Sequence, residues 1–321
     1  MTRRQCPATA RDATQERVTE QYAVYQADAV QFMSSMPANS IDYGLHSPPF
    51  EGLYKFSADP RDISNSEGSL FWEHYGFVIS ELLRVTKPGR LHSIHCMQLP
   101  AMKVREGYIG VRDFRGDVIR AYQRAGWIFH SEACIWKDPV VAQQRTKSIR
   151  LLHKQLVKDR ALSGQGLADY VVTMRKPGEN EKAVSGCLKR FVGPPSLEPP
   201  RSKYTTDGDS RNWYSIEVWQ RYASPVWMDI DQSRTLQYRQ ARDKEDELHI
   251  SPLQLDVVER CIELWSNPGE VVFTPFLGIG SEVYGAVELG RRGIGVELKP
   301  SYFAQAVKNL MRAEYRPPSF L

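Results

Sequence analysis

The chain reads as an α/β protein built on a doubly wound, mostly parallel sheet. Three observations carry that reading. Short apolar runs alternate with stretches whose apolar residues recur at helical spacing. Near the C-terminus, Val271 to Ser281 has the pattern strand, glycine-containing turn, helix start, and the next strand, Gly293 to Glu297, ends in an acid. Far upstream, the apolar run Ile41 to His46 meets a stiff corner, Ser47-Pro48-Pro49-Phe50.

Taken in order, residues 1–20 are polar and read as a flexible arm. Tyr22 to Gln26 reads as a strand leading to Asp28, followed by a helix from Ala29 to Met36 that Pro37-Ala38-Asn39-Ser40 stops. Residues 51–69 are rich in Gly, Ser, Asp and Asn, which predicts a loop. Phe71, Trp72, Tyr75, Val78, Ile79, Leu82 and Leu83 lie on one helical face. Strand, helix and strand follow at Arg90 to Cys96, Asp113 to Ala125 and Trp127 to Trp136, with a further strand at Leu167 to Met174. From 179 to 245 the alternation breaks, and turn signals interleave with Trp213, Trp219 and Trp227, so this stretch reads as a separate irregular module. Order returns at Ser251-Pro252-Leu253-Gln254, a capping-box pattern opening a helix to Trp265. The strand Glu270 to Thr274, a helix from Ser281 to Leu289 and a terminal helix from Ser301 complete the chain. The domain organisation predicted is an arm (1–20), a first half of the core (21–178) with a basic loop (140–166), an irregular module (179–245) and a second half of the core (246–321).

Composition narrows the class. At 321 residues the chain can bury a full core. No apolar run is long enough to cross a membrane, and residues 1–5 lack the apolar stretch of a secretion signal. Cys6, Cys96, Cys134, Cys187 and Cys261 have no paired spacing, which predicts a reduced, cytoplasmic protein without disulfides. His92, His95 and Cys96 share one strand, but its period of two sends His95 to the opposite face, so no metal is expected. Net charge is only +4, yet Arg145, Lys147, Arg150 and Lys154 crowd a segment whose only acid is Asp159. Such a run suits phosphate contact or a solvated helix face.

The glycine turn has a physical reading of its own. Gly278 and Gly280 allow close approach of the backbone to a ligand, and the helix starting at Ser281 offers free N–H groups. Glu297, at the end of the second strand, sits where an acid takes ribose hydroxyls. Position 283, where a dinucleotide fingerprint needs a third glycine, is Val283, which argues against NAD or FAD. Asp28 either holds an edge of the ligand or caps the helix that follows it.

Thr274-Pro275-Phe276-Leu277-Gly278-Ile279-Gly280-Ser281 resembles the Asp-Pro-Phe-x-Gly-Ser-Gly-Thr motif of S-adenosylmethionine-dependent DNA amino-methyltransferases. Ser47-Pro48-Pro49-Phe50 resembles their catalytic motif, and its place upstream of the cofactor motif is the permuted order of the β group. The likeness covers residues 21–310. It implies a Rossmann-like class I methyltransferase core with an inserted DNA-recognition module. It implies S-adenosylmethionine as cofactor, with Asp28, Ser251, Thr274, Phe276, Gly278, Gly280, Ser281 and Glu297 around it. Ser47, Pro48, Pro49 and Phe50 would form the catalytic corner. Double-stranded DNA would be the partner, contacted by Arg145, Lys147, Arg150 and Lys154, within DNA methylation and restriction-modification. The resemblance leaves a homodimer and a paired nuclease open.

Two departures stand out. Thr274 replaces the motif's aspartate and cannot pair with the cofactor's ammonium. His46 stands where cytosine-N4 enzymes usually have threonine; Ser47 leans slightly toward cytosine N4 over adenine N6. A DNA-binding relative without activity, and a methyltransferase acting on RNA or protein amides, are the competing readings.

Overall fold

The computed structural model describes residues 13–51, 55–57, 59–101, 103–146, 151–185, 221–241 and 252–314. Its strands are β1 (Gln15–Val18), β2 (Tyr22–Gln26), β3 (Ile41–His46), β4 (Thr86–Met97), β5 (Leu99–Ala101), β6 (Gly110–Arg112), β7 (Ile128–Ile135), β8 (Asp169–Arg175), β9 (Val226–Trp227), β10 (Val271–Thr274) and β11 (Arg292–Glu297). Its main helices are α1 (Ala29–Ser35), α2 (Gly68–Val85), α3 (Phe114–Arg124), α4 (Leu255–Trp265), α5 (Ser281–Glu288) and α6 (Pro300–Glu314).

One sheet has the order β1-β2-β11-β10-β3-β4-β8-β7-β9. The run from β2 to β4 is parallel throughout. β8 is antiparallel to both β4 and β7. The central strands are buried on both faces, as β3 is along its whole length, because helices cover each side. Their period of two assigns the faces. Tyr25 and Phe273 point into a core with α1, α2 and α3. Val24 and Val272 point the other way, toward α4, α5 and α6. α2 shows the matching helical period, burying Phe71, Tyr75, Val78, Ile79, Leu82 and Val85. Each such fully buried side chain contributes roughly 1.5–3 kcal/mol.

β10 leads through α5 to β11 on one side of the sheet, whereas β3 leads through α2 to β4 on the other. The chain therefore reverses its winding between β10 and β3, which lie side by side with Phe273 beside Gly44. Loops leaving two such strands diverge and open a crevice at their carboxyl ends. The corner after β3 and the glycine turn after β10 are those two loops.

Three expectations need correction, and one element was not foreseen. Residues 15–18, read as part of a flexible arm, form β1, an antiparallel edge strand, with Arg17 paired to Glu314 of α6. The hairpin of β5 and β6 was not anticipated; its strands are too short to show a period. The capping box at Ser251 is not what starts α4: the helix begins at Leu255 with Gln254 as its cap in extended conformation, and Pro252 precedes the helix rather than opening it. Ser251 itself lies outside the described residues. Finally, 221–241, read as part of a separate module, is tied to the core. Within it β9 extends the sheet beside β7, Trp227 is buried, and Arg234 bridges Asp256 and Glu259 of α4. Trp213 and Trp219 lie outside the described residues.

Candidate functional site

Ser47, Pro48, Pro49 and Phe50 line a cavity at the carboxyl ends of β3 and β10, together with Phe276, Gly278 and Ser281. Asp28 and Glu297, at the ends of β2 and β11, complete the same wall. Residues from opposite ends of the chain thus meet at one crevice.

The corner is built from β3 outward. Pro48 and Pro49 have no N–H, so the loop offers acceptors and few donors. The Ser47 hydroxyl donates to the His95 carbonyl at 3.2 Å and lies 3.4 Å from His95 Nδ1. His95 Nε2 is 3.3 Å from Asp169 Oδ2, and Lys137 Nζ is 2.5 Å from Asp169 Oδ1. Burial by itself would raise the Asp169 pKa, but His95 and Lys137 more than offset it and hold it below the usual carboxylate range. The Phe50 ring packs edge-on against Phe114, at 5.9 Å between centroids. Glu51, the next residue, has φ +41° and pairs with Arg112, which anchors the corner's far side.

On the other side, Gly278 (φ +54°) and Gly280 (φ +98°) occupy the left-handed region that glycine adopts without strain. This bends the chain from β10 into α5. Glu297 fixes the turn: its Oε2 accepts the Gly278 N–H at 2.7 Å and its Oε1 accepts the Lys299 N–H at 2.9 Å. Burial pushes the Glu297 carboxyl up to about 7, against those backbone donors and with the Asp62 charge adding to the rise. Each carboxylate oxygen keeps a further lone pair, so the side chain can still accept from a pair of hydroxyls.

Not every expected residue faces the cavity. Thr274 is fully buried with no hydrogen-bond partner for its hydroxyl among the described residues, and it is absent from the lining. Gly280 also stays out of the wall; it heads α5 and packs against Ala306. Asp28 has both roles weighed from sequence: it lines the cavity and caps α1, accepting from the Gln31 N–H at 2.9 Å. Lys154 is exposed on a short helix, His153–Lys158. Lys147 and Arg150 lie outside the described residues, as does the Arg145 side chain.

The sequence reading missed several lining residues. Arg61 and Asp62 come from the stretch read only as a loop, where Asp62 caps the 3-10 turn Ile63–Asn65. Lys299 donates to the Phe56 carbonyl at 2.9 Å and lies over the Tyr302 ring. Glu282, in the first turn of α5, is 5% exposed and also lines the cavity. Its signal was its place directly after the glycine turn. No group of His, Cys, Asp and Glu suited to a metal occurs among the described residues.

Comparison with known proteins agrees with this geometry. A family model of N6 and N4 methyltransferases, described as DNA methylase, matches residues 41–308, a span that holds both motifs. A stretch of 58 residues is 40% identical to the type II methyltransferase M1.MboII of Moraxella bovis, spanning 18% of this chain and only 22% of that protein. The fold is similar to that of the PvuII DNA methyltransferase (cytosine-N4-specific), with TM-score 0.62 and 15% identity over 97% of this chain and 92% of that one. It is also similar to TTHA0409 of Thermus thermophilus complexed with S-adenosyl-L-methionine, with TM-score 0.60 and 19% identity over 92% and 95% of the two chains. S-adenosylmethionine is the cofactor of the matched family. The glycine turn and the acceptor carboxylate of Glu297 fit an adenosyl group, and the class I methyltransferase fold supplies the crevice. The chain belongs to the N6/N4 DNA methylase family.

Proposed function

We infer that this protein transfers a methyl group to an exocyclic amino group of a base in double-stranded DNA. One observation carries the reading: the acceptor-rich corner and the nucleoside-type turn line one cavity. When bound, S-adenosylmethionine supplies an electrophilic methyl.

The protein's own contribution follows from its acceptors. A base amino group is a weak nucleophile, because its lone pair is delocalised into the ring. Ser47 donates its hydroxyl proton to the His95 carbonyl, so its lone pairs are left to accept from that amino group. The Pro48 carbonyl is the second acceptor. Two such hydrogen bonds localise the nitrogen lone pair for attack. His95, held against Asp169, fixes the serine. The Phe50 ring offers a stacking face to the base. A base inside a duplex cannot reach this crevice, so it must be flipped out. On the cofactor side Glu297 takes the ribose hydroxyls, Gly278 and Ser281 border the amino-acid end, and Phe276 and Asp28 flank the remaining edges.

DNA contact is assigned to the basic segment with Arg145, Lys147, Arg150 and Lys154, since phosphates supply most of the affinity for duplex DNA. Base readout falls to residues within 179–245. Cytosine N4 is favoured over adenine N6 on the strength of Ser47. The test is to incubate the protein with S-adenosylmethionine and duplex DNA, digest the product to nucleosides and weigh them. N4-methylcytosine is expected. N6-methyladenine would reassign the base, and labelled methyl found only on RNA or protein would overturn the reading.

A further inference from the structure

The motif that residues 274–281 resemble has an acid at the position of Thr274, and here that position is neutral, fully buried and turned away from the cavity. A carboxylate in the cavity wall stands instead on Glu282. Its side chain is 5% exposed, lines the cavity and has no cation or side-chain donor among the described residues. The charge acting on it is that of Glu297. Enclosing a carboxylate without a cation is costly. Burial, with Glu297 adding, accordingly pushes its pKa up to about 8. Arg61 and Lys299 also line the cavity, yet neither pairs with Glu282, so this carboxyl is left as an acceptor open to a cationic ligand.

We propose that Glu282 binds the ammonium of the cofactor's amino-acid end, replacing the anionic contact that Thr274 cannot make. The proposal rests on the reading of the cavity as an S-adenosylmethionine site. It follows that the anionic contact has moved from the strand end to the first turn of α5. Binding of an ammonium favours the ionised carboxyl, so at pH 7 cofactor binding releases a proton from Glu282.

The experiment is calorimetry of the full chain and of Glu282→Gln with three ligands: S-adenosylmethionine, S-adenosylhomocysteine and 5′-methylthioadenosine. The last lacks the amino-acid end. The variant is expected to bind the first two about 10- to 100-fold more weakly, as for loss of a charge-assisted hydrogen bond. Its affinity for 5′-methylthioadenosine should stay within about twofold, which also shows that it is folded. Proton release, read from buffers of different ionisation enthalpy, should be present in the full chain and lost in the variant. Unchanged affinity for S-adenosylhomocysteine would overturn the proposal, as would an equal fall for all three ligands. A loss confined to S-adenosylmethionine would assign the charge to the sulfonium and also overturn it. If the unmodified chain binds none of the three, the cofactor reading itself fails, an outcome distinct from a failure of Glu282.

Discussion

Nδ1 of His46 lies 2.7 Å from Nε2 of His92, directly beneath the corner that carries Ser47. Nε2 of His46 is 2.9 Å from the Tyr75 hydroxyl, which is 3.3 Å from that of Tyr122. Burial holds His46 well below the usual histidine range, with His92 adding, and burial lowers His92 to about 3. Both rings are therefore neutral. With the proton of His92 on Nε2, each group can donate to the next, from His92 through His46 and Tyr75 to Tyr122. His92 Nδ1, which has no partner among the described residues, is then a bare lone pair rather than a stranded N–H. His46 also meets Phe276 edge-on at 5.4 Å, so this network joins the Ser47-Pro48-Pro49-Phe50 corner to the glycine turn.

This network predicts a pH profile. Unfolding lets His46 and His92 protonate near 6.5. The unfolded chain then binds more protons, so the stability they contribute is full above pH 6.5 and falls on acidification. Glu282 and Glu297 act in the opposite sense. Their folded pKa values are raised from 4.5 to about 8 and about 7, so the stability they contribute is lost as pH rises through that window. Opposed slopes of about 1.4 kcal/mol per pH unit for each group leave a shallow profile between about pH 5 and 6.5 and a decline from there to about pH 8. Urea midpoints across this range check it; stability still rising at pH 8 would contradict it. In His46→Asn/His92→Asn the acids act alone, and stability should rise steadily on acidification to about pH 5.

Gly44→Ala should destabilise the fold. A Cβ at Gly44 would lie 1.8 Å from Nδ1 of His92, inside the packed core. Relief requires His92 to leave its bond to His46. We expect a loss of about 1–3 kcal/mol by urea unfolding. Gly44→Ala/His92→Ala should recover part of it, because the second change removes the obstructing ring.

Ser47→Ala removes the hydroxyl proposed to accept a hydrogen bond from the base's amino group. Single-turnover methylation should slow by about 10²–10³-fold, the scale for one preorganised hydrogen bond in a site. S-adenosylhomocysteine affinity should stay unchanged, because Ser47 belongs to the base side. Equal rates for variant and parent would remove Ser47 from the mechanism.

Arg90 pairs with Glu270 in the interior, at 3% and 5% side-chain exposure, and also donates to the Asp42 carbonyl at 2.7 Å. Glu270 in turn accepts the Asn267 N–H at 2.7 Å. Arg90→Ala leaves the buried Glu270 carboxylate with only the exposed Lys182 ammonium, 3.6 Å away, as its cation among the described residues and should cost about 3 kcal/mol. Arg90→Met with Glu270→Gln should cost distinctly less, as thermal and urea unfolding would show.

The alternation of strand and helix, the stop at Pro37-Ala38-Asn39-Ser40 and the two motifs were legible in the sequence. Each is local, set by side-chain period, missing N–H groups or glycine's freedom. β3 and α2 were readable for the same reason. The N-terminal strand β1 was not, because an exposed edge strand of four residues carries no burial pattern and depends on its pairing with β2. β9 is two residues long and exists only because β7 lies beside it. The site divides in the same way. Sequence alone determined that a rigid acceptor corner and a nucleoside-type turn exist. The tertiary structure decided that they share one cavity, because the winding reverses between β10 and β3. It also decided that Thr274 faces inward while Glu282 faces the crevice. Which side of a turn reaches a ligand depends on what packs behind it, and the neighbours that settle that question are far away in the chain.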